Sequence, residues 1–302
     1  MTPRIFCSEL SRNRGEQVFG TAPRVDTWLL IEHPGAWSAK GFPDDRLSLP
    51  VRRYIAALAG FLGGAKKLMI RHRRRGEYLR MFLVRSSEER PAVSMLAFDS
   101  YEDLLTFSPE DLVAQARPYD RPLFLVCTHG KHDKCCAKFG FGVYCTLHEA
   151  MPEDTWECSH VGGDRFAANL VCFPEGLYYG HVSRAASLAV AAEHVSGRIV
   201  LEHYRGRCCY SRPAQIAEYV IRRETALTGI DDLRLLNSAE LSPGDWRVVF
   251  VEPAAGRIHE VDFRLRKSSG KHLLTCNAAE LGAVLQYIPI RYGVTSAADL
   301  PG

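Results

Sequence analysis

Along the first hundred residues the apolar positions change period twice. In DTWLLIEHPGAW a continuous apolar run, Trp28 to Ile31, closes on Pro34-Gly35, which predicts a strand punctuated by a turn. In PVRRYIAALAGFLGG, Val51, Ile55, Leu58 and Leu62 recur at three- and four-residue spacing, Pro50 sits where a first turn accepts it, and Gly63-Gly64 supply a stop. That pattern predicts a helix. KLMIRH, YLRMFLVRS and AVSMLAF then read as strands, giving the order β-α-β-β-β.

The same order returns further on. Leu123 to Val126 of RPLFLVCTHG is a short buried strand whose end delivers Cys127. GVYCTLHEAM puts Val143, Tyr144, Leu147 and Met151 on one helical face, TWECSH is a strand, and NLVCFPEGLYYGHV is a hairpin turning at Pro174-Glu175-Gly176. The repetition suggests two copies of one module, the first without the cysteines of the second. Two helices follow, SRAASLAVAAEHVSG with Ser183 as N-cap, and SRPAQIAEYVIRRETALTG with Pro213 in its first turn and Gly229 as its stop. From Asp231 strands dominate again, WRVVFVEP and RIHEVDFRLRKS around Ala254-Ala255-Gly256. The expected class is α/β, divided as residues 1–118, 119–230 and a β-rich 231–302.

Composition narrows the classes. With 302 residues, 46% hydrophobic and 24% charged, the chain is long enough for two or three compact units. The N-terminal MTPRIFCSELSRNRGEQ lacks the apolar run of a signal peptide, and no stretch reaches the roughly 18 apolar residues of a membrane span. The expectation is a cytoplasmic protein without a membrane partner. A net charge of +3 gives no reason to expect nucleic acid. KKLMIRHRRR, Lys66–Arg75, carries six Lys or Arg residues; it reads first as a strand with a buried centre and solvated flanks, and second as a docking patch for an acidic partner.

Ten cysteines change the picture, because clustered thiols inside a cell more often mean metal or redox chemistry than disulfides. Cys127, Cys135, Cys136, Cys145 and Cys158 fall within 32 residues, with His129, His132, His148 and His160 in or just beyond that window. The other five are scattered and call for no site. Cys127 ends a strand, Cys135 and Cys136 precede a helix, and His160 and Asp164 lie in the loop SHVGGDRF after the next strand. Parallel neighbours would bring these loops to one sheet edge, where ligands collect in open α/β sheets. Gly162 and Gly163 would let the backbone approach a bulky group there.

FCSELSRNRGEQVFGTA, WLLIEHPGAW, CTHGKHDKCCAKFG and WECSHVGGDRFAANLVCFPEGLYYGHV together resemble the sucrase/ferredoxin-like proteins, relatives of the thioredoxin-like [2Fe-2S] ferredoxins. The resemblance implies a thioredoxin-like module that carries a [2Fe-2S] cluster on two cysteines of the first motif and two histidines of SHxGGH. Mapped onto this chain, it points to Cys127, Cys136 and His160. The chain departs at the fourth ligand, where Asp164 replaces histidine; Cys158 is an alternative fourth ligand and Cys135 an alternative to Cys136. A carboxylate in place of imidazole adds negative charge and lowers the potential expected of the site. The implied function is one-electron transfer with a reductase or ferredoxin as partner, docking at Lys66–Arg75.

Other chemistries remain beside this one. Cys127, Cys136, Cys158 and His160 make a Cys3His set for structural zinc, although the short C-x2-C pairs of zinc knuckles are missing. A cluster-free binding or scaffold protein of the same fold is a further reading. Cys135 or Cys136 could serve as a thiol-redox nucleophile, but neither CTHG nor CCAK is C-x-x-C. Cys145 and Cys172 read as core, Cys208-Cys209 as structural, and His129 and His132 as residues that orient the loop. Sucrase activity would need two carboxyl groups facing across a sugar, which nothing in the sequence pairs.

Overall fold

The computed structural model describes residues 5–42, 46–73 and 76–296. Its elements run α1 (Cys7–Asn13), β1 (Thr27–Glu32), α2 (Leu49–Phe61), β2 (Lys66–Arg71), β3 (Leu79–Arg85), β4 (Ala92–Phe98), α3 (Pro109–Gln115) and β5 (Arg117–Pro118). Then come β6 (Leu123–Cys127), α4 (Lys134–Ala150), β7 (Thr155–Cys158), β8 (Leu170–Phe173), β9 (Leu177–Tyr179), α5 (Arg184–Val195), β10 (Tyr204–Arg207) and α6 (Arg212–Thr225). The chain closes with β11 (Arg234–Ser242), β12 (Asp245–Glu252), β13 (Arg257–Lys267) and β14 (Leu285–Ser296). The fold is mixed α/β.

Ten strands form one sheet in the order β10-β9-β8-β6-β7-β2-β1-β3-β4-β5. In the first half β1 pairs parallel with β2 and antiparallel with β3, which pairs with β4. In the second, β6 pairs parallel with β7 and antiparallel with β8, which pairs with β9. The two sets meet where β2 and β7 run antiparallel, Ile70 opposite Cys158 and Arg71 opposite Glu157. The boundary expected at residue 118 therefore falls within a shared sheet.

The continuous apolar runs of β1 and β6 are those of strands covered on both faces. Leu123, Leu125 and Cys127 enter a core shared with Trp28, Leu30 and Ile70 of the first half, while Phe124 and Val126 pack against Val143, Tyr144 and Leu147 of α4. The last four strands form a separate antiparallel sheet in sequence order, whose Val248, Phe250, Val261 and Phe263 cover Ile216, Val220 and Ile221 of α6. That amphipathic helix ends on Ala226 in the left-handed region, at φ 59°, rather than at Gly229. Residues 268–284, between β13 and β14, carry no helix or strand.

Candidate metal centre

Cys127 is the last residue of β6, opposite Cys158 at the end of the parallel β7. Both following loops leave from the same sheet edge. The helix after Cys127 begins earlier than its apolar period indicates, because Asp133 caps it: Cys135 N–H donates to Asp133 Oδ1 at 2.8 Å. Cys135 and Cys136 thus lie inside the first turn of α4. A Cβ on Gly140 would stand 2.1 Å from the Cys127 carbonyl oxygen, so only glycine lets α4 lie this close to the end of β6.

A thiol of Cys127, a thiol of Cys136 and a ring nitrogen of His160 lie within 4.8 Å of one another. Asp164 adjoins them, with Oδ1 3.0 Å from His160 Nδ1 and 3.6 Å from Cys136 Sγ. His132 completes the arrangement: its ring stacks on His160 at 3.9 Å, and its Nε2 lies 3.9 Å from Asp164 Oδ2. His132 Nδ1 faces the Ala39 carbonyl at 3.2 Å; donation there leaves the Nε2 lone pair facing the site, the tautomer a metal ligand needs. His129 is engaged at both nitrogens, accepting from His160 N–H and donating to the Ser38 carbonyl. The donors also form a gradient, both thiols wholly buried while the side chains of His160 and His132 are 21% and 36% exposed.

These groups shift one another's protonation. Hydrogen bonds from the Cys136 and Cys158 thiols hold the Cys127 thiol well below its ordinary range against the effect of burial. The same contact with Cys127, with burial, pushes Cys136 well up, and burial pushes Cys158 up. Burial would lower His160, but its hydrogen bond and charge contact with Cys127, joined by Asp164, raise it on balance. Burial raises Asp164 against the pull of His160.

Residues 18–206 match the sequence profile of the sucrase/ferredoxin-like family. The chain belongs to that family. It is also 29% identical over 102 residues to Altered inheritance of mitochondria protein 32 of Clavispora lusitaniae, a match covering 31% of this chain and 37% of that relative. No solved structure matches the chain. The sucrase/ferredoxin-like region takes in both halves of the large sheet and all the donors around Cys127, and it leaves out Cys7, α6 and the C-terminal sheet.

Within this family member several sequence expectations find other partners. Cys135 meets Cys7 at 3.5 Å and Cys276 at 3.2 Å, in a second cluster apart from Cys127. Cys158 touches Cys127 but is not among the donors grouped with Cys136 and His160. Arg165, next to Asp164 in the chain, pairs with Glu16. The bulk that Gly163 clears is the Arg205 guanidinium, which a Cβ would meet at 2.5 Å. Arg205 is buried, donates to Thr21, the Gly162 carbonyl and Asn169 Oδ1, and has no carboxylate at ion-pair distance among the described residues. Burial lowers it to about 10.

In the basic run, Leu68, Met69 and Ile70 are buried and Lys66 Nζ donates inward to the Val161 carbonyl at 3.3 Å. Arg71 forks onto Glu157 at 2.8–2.9 Å. Arg74 and Arg75 lie outside the described residues. Sequence patterns passed over His132 as a donor, Arg205 as a buried cation, and Cys7 and Cys276 altogether. Only the spacing of His132 from the cysteines offered a signal for any of them. No helix among the described residues is long and apolar enough to cross a membrane.

Proposed function

We propose that this chain is a one-electron carrier holding a [2Fe-2S] cluster on Cys127, Cys136, His160 and Asp164, with His132 as the imidazole alternative to Asp164. The observation that carries this reading is the convergence of two thiols, an imidazole and a carboxylate from three chain segments on one sheet edge. Two observations support it. Arg205, a buried cation with no ion-pair partner among the described residues, is the charge that an anionic centre would offset, and Asp164 and Cys127 are among the groups whose charge it feels. The strand order β7-β6-β8-β9, with its parallel and antiparallel pairs, also supports a thioredoxin-like reading of the second half.

When bound, the cluster supplies a site that accepts and returns one electron. The chain's own residues do the rest. The buried thiols exclude water from one side, and the half-exposed imidazoles form the side a partner reaches. If His160 binds through Nδ1, the ring nitrogen nearest Cys136 Sγ and Asp164 Oδ1, its Nε2 is left to take or release a proton as the electron comes and goes. A cytoplasmic redox partner, a reductase or ferredoxin, belongs to the same proposal; Arg73, exposed within the basic run, is a contact such a partner can use.

A second reading, zinc on the same donors, is favoured by their compactness, since three donor atoms within 4.8 Å of one another also suit a single ion. Thiol-redox catalysis is less well supported, because neither Cys135 nor Cys136 has exposed surface to offer a substrate. Iron, acid-labile sulfide and zinc content of anaerobically purified protein, with visible absorption and EPR after dithionite, separate the readings. About two irons and two sulfides per chain are expected. Zinc in their place, retained through reconstitution with iron and sulfide, would reject the electron carrier.

A further inference from the structure

Cys7, Cys135 and Cys276 come from α1, the first turn of α4 and the irregular segment 268–284. Their sulfurs form a near-equilateral triangle with sides of 3.2, 3.5 and 3.6 Å. Cys7 and Cys135 are wholly buried, and Cys276 is half-buried. The carboxylate of Asp133 lies with them, all four donors within 4.8 Å of one another. Asp133 is itself wholly buried and has no cation at ion-pair distance among the described residues.

We propose that this cluster is a second metal site, a zinc centre of three thiolates that is separate from the site around Cys127. A tetrahedral ion with Zn–S bonds of about 2.3 Å spaces its sulfurs roughly 3.8 Å apart, so the triangle needs to open by only a few tenths of an ångström. A disulfide would instead draw one pair to about 2.05 Å and leave the third sulfur without a role. The carboxylate completes the set: Asp133 Oδ1 and Oδ2 accept the Cys135 and Cys276 N–H groups at 2.8 and 2.6 Å, a carboxylate oxygen lies within 4.8 Å of the three sulfurs, and a carboxylate oxygen that accepts one hydrogen bond still has a lone pair to give. Carboxylate oxygen beside thiolate suits zinc better than copper(I), which prefers sulfur alone. Binding exchanges three thiol protons, released to water, for one Zn²⁺.

The site ties three distant parts of the chain together. Cys7 and Cys135 are 128 positions apart, and Cys135 and Cys276 are 141. A seventeen-residue connection without helix or strand is longer than most in compact domains, and the metal gives it an anchor at its middle. Because Cys135 and Cys136 are neighbours in one helical turn, the clasp also holds the backbone that presents Cys136.

The test uses the full chain purified without chelator, with metals counted and each cysteine's alkylation followed by peptide mass spectrometry before and after a zinc chelator. The proposal expects about one zinc per chain that Cys276→Ser removes and Cys127→Ser does not. It also expects Cys7, Cys135 and Cys276 to be protected together in the native protein and to become reactive together on chelation. The peptide readout needs no substitution, so it stands even if Cys276→Ser fails to fold. Zinc content unmoved by Cys276→Ser in a folded variant, chelator-independent alkylation of the three thiols, or a disulfide between any two of them would each overturn the assignment. Loss of zinc from Cys127→Ser alone would place the metal at the first site and overturn it too.

Discussion

The two halves of the ten-stranded sheet share a topology and differ at the ends of their parallel strands. In the second half β6 and β7 end on Cys127 and Cys158. In the first, β1 and β2 end on Glu32 and Arg71. Glu32 accepts from Arg80 at 3.1 Å, and Arg71 forks across the seam onto Glu157. The first half spends its strand ends on ion pairs, and its β1–α2 loop becomes a cover: the Ser38 and Ala39 carbonyls hold His129 and His132, and the Trp37 ring meets His129 edge-on at 5.7 Å. Duplicated topology has thus been divided into one half that presents donors and one that orients them.

The sharpest way to break this comparison is to substitute on each side of it. Cys127→Ser should abolish the visible chromophore of anaerobic protein, whereas Trp37→Ala should keep the chromophore and speed its loss to an iron chelator. Equal loss from both would mean that the first half supplies more than a cover.

Gly163→Ala comes next. Its Cβ would meet the Arg205 guanidinium at 2.5 Å, at a φ of +85° that disfavours side chains. A loss of about 2–4 kcal/mol in urea unfolding is expected, with the midpoint moved at constant slope.

Acid should weaken the second half through His181, which burial lowers to about 4. Its folded value lies below the unfolded 6.5, so its contribution is complete above pH 6.5 and declines as pH falls toward 4. Roughly 2–3 kcal/mol is lost across that window, and His181→Asn should flatten this part of the stability-against-pH curve.

Asp164→His should raise the midpoint potential by removing a negative charge, and His132→Ala should leave it unchanged if Asp164 is the ligand. A potential that follows His132 instead would move the fourth position. Smallest of all, Cys145→Ser, at a half-buried position on α4, should leave the chromophore as it is and change stability by less than about 1 kcal/mol.

The repeated β-α-β-β-β order was legible because buried strands and amphipathic helices write their periods locally. Cys127 and His160 were legible for a similar reason, as each lies just past a readable strand. The start of α4 was not, because its first turn is set by the Asp133 cap and by contact with Cys276, whose backbone donates to the same carboxylate. Long-range meetings leave no local period. Nothing local marks Cys7, Cys276 or Arg205, because the residues they meet lie more than a hundred positions away in the chain. The glycine pair in SHVGGD was read as clearance for a ligand, since the sequence does not show which bulky group stands behind a glycine.

The seam between β2 and β7 also has a consequence in time. Arg71 and its partner Glu157 are 86 positions apart, so at about 5–20 residues per second a ribosome needs about 4–17 s to deliver the strand that covers β2. Until then Leu68-Met69-Ile70 is an apolar sheet edge open to pairing with another nascent chain. The lysines before it and the arginine after it, which in the finished protein turn to a carbonyl, a ring and a carboxylate, would meanwhile serve as gatekeepers against that pairing.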